Sequence, residues 1–330
     1  MISSGKEEIG MRREIIPKVL RYQVPKWIWN ILRTVVLIGL CFMILYPVLQ
    51  LLTRSFMGTA DMNDGSVVLI PRTFSMENIS LAWQMLDYPG SLAVTLLVVT
   101  TATVLQTLCC LLAGYGFARF DIPLKRLLFA MVIFTIVVPP QLYMASTYLH
   151  FKSFDIFGLF HMITGQPLNM INSYWPIFLL SLTGNGIKNG LFIYIFRQNF
   201  RNMPKEIEEA AYVDGAGHLR IFGGIMVPNA VATVVTVMLF SFVWTYNDNV
   251  VSGMLTGSSH LLSVQYLYIA DLTNLILKDW GIGDALSYNP IYMMCLKSAG
   301  VLLVILPPVL LYLVMQRFFV ESVERSGLVG

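Results

Sequence analysis

The chain has 330 residues, of which 56% are hydrophobic and only 12% charged, with a formal net charge of +3. A soluble globular domain carries about 25% charged residues, so this composition excludes an ordinary water-soluble fold: one aqueous core cannot hide so much apolar surface, whereas lipid accepts it. The fold class expected is an all-α, polytopic membrane protein with about six transmembrane helices.

In chain order, residues 1–33 form a tail with seven Lys or Arg against three acids, and an apolar run follows without a break to Leu52. A cleaved signal peptide is shorter and ends in small residues, so this run is read as the first span, about 34–53, with the transmembrane domain covering 34–320. The other spans are expected at about 91–118, 127–149, 175–197, 229–251 and 298–319, each near the ~20 apolar residues that cross a bilayer. The short end, 321–330, is a second tail.

Several spans carry interruptions. The second ends in "AGYGFA", whose small residues permit close helix approach. The third contains Pro139–Pro140 and the sixth Pro307–Pro308, and each pair predicts a bent helix, because proline removes a ladder hydrogen bond and clashes with the preceding turn. The fourth contains "TGNGIKNG", where a lysine and two asparagines need water or protein partners.

Between the spans, sixteen Lys and Arg fall on the side of the two termini and five on the other, with Lys188 inside the fourth span. The positive-inside rule then places both termini in the cytoplasm. The outer segments, about 54–90, 150–174 and 252–297, are long and mix aromatic with polar residues, as in "HLLSVQYLYIADL". They read either as surface-lying loops or as a docking rim for an external partner. The "NIS" at Asn78 is a glycosylation sequon by letter only.

The cytoplasmic loop at 198–228 is unusual. Within "PKEIEEAAYVDGAGHLRIFGGIMVP", a helix is predicted over 204–214, since Pro204 suits a first turn and Glu206, Glu208 and Glu209 favour the positive end of a helix dipole. Gly215 stands where a C′ glycine ends such a helix. Ile207, Ala210 and Ala211 share a flat face, and a second helical pattern runs over 218–226 until Pro228 opens the fifth span. So much polar structure exceeds what a connector requires.

At these residues the chain resembles the membrane-spanning subunits of ATP-binding-cassette (ABC) importers that work with an external binding protein. That family carries the pattern E-A-A-x-x-x-G, nine residues, then I-x-L-P; here Glu209, Ala210, Ala211, Gly215, Ile225 and Pro228 fill it, with Val227 for leucine. The stretches "DGAG", "AGYGFARFDIPLKRLLF", "VVPPQLY", "FRQNFRNMPKE", "FVWTYND" and "QRFFVESVERSGLVG" are similar to the carbohydrate-importing, MalG-like branch. The tail departs from that branch in carrying Glu321 and Glu324.

The resemblance implies a type I ABC importer permease that encloses half of a sugar path. It implies two ABC ATPase subunits, a second, different permease subunit, an extracytoplasmic sugar-binding protein and surrounding membrane lipid as partners, with no nucleic acid. The localisation expected is a bacterial or archaeal inner cell membrane. The resemblance also assigns coupling to the ATPase to Glu208, Glu209, Ala210, Ala211, Asp214, Gly215, Phe222 and Pro228. It suggests that 252–297 probes the binding protein's sugar cleft.

The chain has no GxxxxGK[ST], HExxH or GxSxG, and Cys41, Cys109, Cys110 and Cys295 form no metal-ligand pattern. No catalytic residue, metal or cofactor is therefore assigned to it; ATP and Mg are expected in the partner ATPase subunits. Trp244, Tyr246, Asn247 and Asp248 have the chemistry of a sugar path, a ring to stack on a sugar face and amides and a carboxylate for its hydroxyls; an interfacial aromatic belt is the other reading. The rival function, an ion-coupled secondary transporter of a small polar solute, needs ionisable residues at the midplane, and only Asp248 and Lys188 come near.

Overall fold

The computed structural model describes residues 26–257, 260–269 and 290–327. Outside them lie the basic tail up to residue 25 and residues 270–289, which hold much of the segment expected to probe a binding protein. The chain divides into two units, 1–51 and 52–330.

The first unit consists, in its described part, of helix α1 (Lys26–Ser55), whose end passes into the second. Thirty residues span about 45 Å at 1.5 Å each, more than the ~30 Å hydrocarbon core. Its apolar side chains, Val36, Ile38, Met43 and Ile44 among them, are exposed. In water such a surface would be untenable; in lipid it costs nothing.

The second unit is built around α3 (Tyr88–Arg119), preceded by the short α2 (Glu77–Met85). One stripe of α3 is buried and made largely of small or polar residues: Ser91, Thr95, Ala102, Gln106, Cys110 and Gly114. The opposite side exposes Leu97, Leu108 and Leu112. Lipid attracts apolar surface as well as a protein core does, so helices in a membrane pair through close backbone approach and polar contacts instead. Gly114 shows this directly: a Cβ there would lie 2.4 Å from Cβ of Phe196, so only hydrogen fits where α3 meets α8 (Asn189–Asn202).

The expected third span is two helices, α4 (Lys125–Val137) and α5 (Met144–Lys152), joined through a 3₁₀ turn at Pro140–Leu142. The proline pair breaks this stretch rather than bending it, because the residue before a proline is driven out of the helical region, and Val138 is extended. After α6 (Leu159–Thr164), the expected fourth span is likewise divided into α7 (Trp175–Leu182) and α8. There Gly184 and Lys188 take left-handed conformations.

Beyond α8 come α9 (Glu206–Val213), α10 (His218–Ile221), a π-helical turn at Phe222–Met226 and the three-residue α11 (Val227–Asn229). The stretch His218–Asn229 meets α12 (Val231–Asn247) at 77°. Next are α13 (Val250–Thr256), α14 (Leu262–Gln265) and the long α15 (Pro290–Gly327), which stays helical through Pro307–Pro308 and past the expected end of the sixth span. Among the described residues three helices are long and apolar enough to cross a membrane, and the bent pair makes a fourth. The expected third and fourth spans are built from shorter pieces, and no strand longer than an isolated bridge occurs in the described parts.

Two large clusters hold the unit together, and a smaller third joins the middle of α3 to α7 and α14 through Val98, Ala102, Ile177, Leu261 and Val264. Of the two large ones, the first joins α2 and the start of α3 to α12 and α15 through Met85, Leu86, Tyr88, Tyr246, Leu296 and Ala299. The second joins the far end of α3 to α8, α10 and the π turn through Tyr115, Phe192, Phe196, Phe200, Ile221 and Met226. The second cluster supports the polar loop from beneath.

The loop between α1 and α2 is fastened by carboxylates. Asp61 accepts the Thr73 amide at 2.6 Å, and Asp64 accepts the Ser66 amide and hydroxyl while pairing with Arg72 at 2.9 Å. These donors hold both carboxyls below the ordinary range, the Thr73 amide leading at Asp61 and the Ser66 hydroxyl at Asp64. Asn78 is buried and donates to the Met57 carbonyl at 2.8 Å, which explains why its sequon is one by letter only.

Candidate functional site

Helix α9 begins with Glu206, Glu208 and Glu209 in its first turn, where the dipole favours negative charge. It begins two residues after Pro204, and it ends in a Schellman motif. Gly215 has φ +78, its amide donates to the Tyr212 carbonyl, and the Ala216 amide donates to the Ala211 carbonyl, each at 3.0 Å. The side chains of Tyr212 and His218 meet at 2.5 Å across the turn, fixing α9 to α10.

The faces of α9 then sort the expected coupling residues. Glu208 and Ala211, three apart, turn inward and are buried. Phe222 is half-buried and packs against Tyr115, ring centroids 4.9 Å apart. Glu209, Ala210, Asp214, Gly215 and Pro228 are exposed. The flat face expected of Ile207, Ala210 and Ala211 is therefore divided, with Ala211 packed inside the chain. What faces out is Glu206, Glu209, Ala210 and Val213, at i, i+3, i+4 and i+7, and Val213 is 88% exposed.

Arg119, at the last residue of α3, was not singled out by the motif and holds the site together. Its Nε lies 3.3 Å from Oε1 of Glu208, and its Nη2 donates to the Met203 carbonyl at 2.8 Å. The two side chains are only 6% and 10% exposed. Removing one member of a buried pair strands the other charge, at about 3–5 kcal/mol. One guanidinium thus ties the end of α3 to the end of α8 and to α9. Phe120, the next residue, sets its ring edge-on to His218 at 5.9 Å.

The four residues expected on a sugar path are dispersed. Tyr246 is fully buried and donates to the Val304 carbonyl at 2.8 Å, a contact between α12 and α15. Trp244 packs on Phe192 and Phe240. Asn247 is exposed and donates back to the Val243 carbonyl at 2.9 Å. Asp248 caps α13, accepting the Val251 and Ser252 amides and the Ser252 hydroxyl. Asp248 borders a small cavity of about 40 Å³ shared with Tyr143 and Asn185.

A buried polar junction lies in mid-helix instead. Gln106 donates to the Ile187 carbonyl at 2.6 Å and to Oδ1 of Asn189, and it accepts the Ser241 hydroxyl at 2.5 Å. It joins α3, the break between α7 and α8, and α12. The only sequence signal for it is one glutamine in an apolar run. No cluster of His, Cys, Asp or Glu suited to a metal occurs among the described residues.

Comparison with known proteins agrees with this architecture. Residues 107–325 match the family described as "Binding-protein-dependent transport system inner membrane component". A probable ABC transporter permease protein of Pyrococcus horikoshii is 25% identical over 317 residues, covering 95% of this chain and 98% of that one. The sn-glycerol-3-phosphate transport system permease protein UgpE of Yersinia pestis is 23% identical over 290 residues, 86% of this chain and 92% of its own length. The polygalacturonan/rhamnogalacturonan transport system permease protein YtcP of Bacillus subtilis is 24% identical over 288 residues, with the same coverage. Among solved structures, a bacterial ABC transporter involved in the import of the acidic polysaccharide alginate superposes with a TM-score of 0.67 at 20% identity, covering 88% of this chain and 96% of that one.

Proposed function

The chain belongs to the family of binding-protein-dependent transport system inner membrane components, and from that premise we propose that it is one permease subunit of an ATP-driven carbohydrate importer, working beside a second permease. As a member it is a multi-pass membrane subunit, and hydrolysis of ATP is the work of a partner.

The observation that carries the coupling reading is the Arg119 clamp. In this reading α9 and its Gly215 turn sit in a cleft of an ATPase subunit on the cytoplasmic side, where both termini also lie. Glu209, Ala210 and Val213 face the partner, and Glu208, Ala211 and Phe222 face the spans. Because Arg119 binds Glu208 and the Met203 carbonyl together, a push on α9 moves α3 and α8 as one body. ATP and Mg belong to the partner's site, and an extracytoplasmic binding protein delivers the solute. Support for a carbohydrate comes from the relative whose name specifies polygalacturonan/rhamnogalacturonan transport, and that of sn-glycerol-3-phosphate, a phosphorylated polyol, supports a polyhydroxylated solute.

The test is uptake of labelled oligosaccharides into proteoliposomes carrying the complex captured from its native membrane, with its binding protein added outside. Uptake that requires internal ATP and survives an ionophore is expected. Uptake abolished by the ionophore with ATP present contradicts the reading and favours an ion-coupled carrier.

A further inference from the structure

The break at 183–188 separates α7, about 12 Å long, from α8, about 21 Å long, so it falls well inside the depth of a bilayer. Irregular backbone at that depth is tolerated only where protein buries it or water fills a cavity beside it. Such a cavity is present. It measures about 780 Å³, within the ~300–1,000 Å³ of small-molecule sites, and lies between this break and the proline break of α4 and α5.

Lys188 lines this cavity, exposed, in a left-handed conformation (φ +62) that non-glycine residues rarely adopt. Among the described residues it has no ion-pair partner. Asp248, on the small adjoining cavity, is already engaged by three donors of α13. An ammonium facing lipid at mid-depth is costly, so this flank faces a wet path or a protein, where its charge attracts an anion. Thr183 and Thr147, whose hydroxyls donate to the Leu179 and Tyr143 carbonyls, offer acceptor oxygens, Asn185 an amide and Tyr143 an exposed ring. That set suits a hydroxylated ring bearing an acid.

We propose that this cavity is a subsite for a carboxylate-bearing saccharide, whose charge Lys188 neutralises as the sugar passes. The proposal rests on the transporter reading and adds a substrate class to it. A neutral sugar leaves the ammonium unpaired in the wall; an acidic one pairs it, so Lys188 selects for charge.

The experiment measures binding of trigalacturonate and of neutral galactotriose to the detergent-solubilised complex captured through this chain, in wild type, Lys188→Met and Lys188→Arg. Trigalacturonate is expected to bind the wild type and Lys188→Arg and to bind Lys188→Met at least tenfold more weakly, with galactotriose affinity equal in all three. Equal trigalacturonate affinity in wild type and Lys188→Met, or none in wild type at millimolar concentration, overturns the proposal. Lys188→Arg separates loss of charge from loss of fold. Capture without any ATPase subunit sinks the transporter reading instead, and the binding comparison remains readable on the chain itself.

Discussion

The Nε of Arg119 stands 3.3 Å from Oε1 of Glu208, so the final residue of α3 is bound to the first turn of α9 by a buried ion pair. Glu209, the next residue along, is exposed. Two adjacent glutamates in one loop therefore face opposite ways, one toward the spans and one away.

That asymmetry predicts different fates for the two. Glu208→Ala leaves Arg119 charged and buried and is expected to destabilise by about 3–5 kcal/mol, while Glu209→Ala, on an exposed face, stays within about 0.5 kcal/mol. Melting temperatures of the detergent-solubilised protein measure both. Equal losses in the two variants would contradict the inward placement of Glu208.

The turn after α9 makes a second prediction. Gly215 has φ +78 with open space where a Cβ would stand, so Gly215→Ala is opposed by backbone conformation alone and costs about 1–2 kcal/mol. Gly217 also has open space but an ordinary extended backbone, and Gly217→Ala is expected to be neutral. Chemical or thermal denaturation compares them, and a neutral Gly215→Ala would contradict the Schellman turn.

A third concerns helix pairing. Gly114→Ala puts a Cβ 2.4 Å from that of Phe196 and 3.0 Å from the Arg197 amide nitrogen, so α3 and α8 must part, at about 1–3 kcal/mol. Gly116→Ala, two residues on, meets nothing within 4 Å and serves as the control. A disulfide-trapping rate between α3 and α8 that does not change in Gly114→Ala would count against the close contact.

A fourth follows from Asp61 and Asp64. Both are held below the ordinary carboxylate value by hydrogen bonds from Thr73 and Ser66. A folded-state value lower than the unfolded one stabilises above the unfolded value, near pH 3.9, and that contribution disappears as pH falls through the lowered value. Protection of the Thr73 amide against hydrogen exchange is expected to fall below about pH 4 relative to its intrinsic rate, and Asp61→Asn to remove the pH dependence. Protection unchanged down to pH 3 contradicts the role given to Asp61.

How much of this was legible beforehand differs by feature. The apolar content and the loop motif are local, and they yielded the membrane class, the family and the position of the Gly215 turn. The break in the fourth span was signalled by "TGNGIKNG", because a lysine and asparagines cannot sit in a plain lipid-facing helix. The proline pairs were ambiguous: 139–140 separates two helices, while 307–308 leaves α15 continuous. Tandem prolines alone do not decide between a bend and a break. The Arg119 clamp and the Gln106 junction were illegible, since both join residues distant in the chain and no periodicity reports such pairings. Tyr246 has sugar-binding chemistry but is fully buried with its hydroxyl on the Val304 carbonyl, whereas Trp244 is half-buried against Phe192 and Phe240, contacts that its place in the sequence does not report.

The central claim is that the outward face of α9 engages an ATPase while its inward face holds the spans. The most direct measurement is capture of the complex through an N-terminal tag, with the co-purifying ATPase quantified by mass spectrometry for wild type and for an Ala210→Arg, Val213→Arg variant. The account predicts an ATPase in the wild type and its loss from the variant, with the melting temperature of the permease unchanged. An ATPase retained in full by a variant carrying two arginines on that face would contradict it.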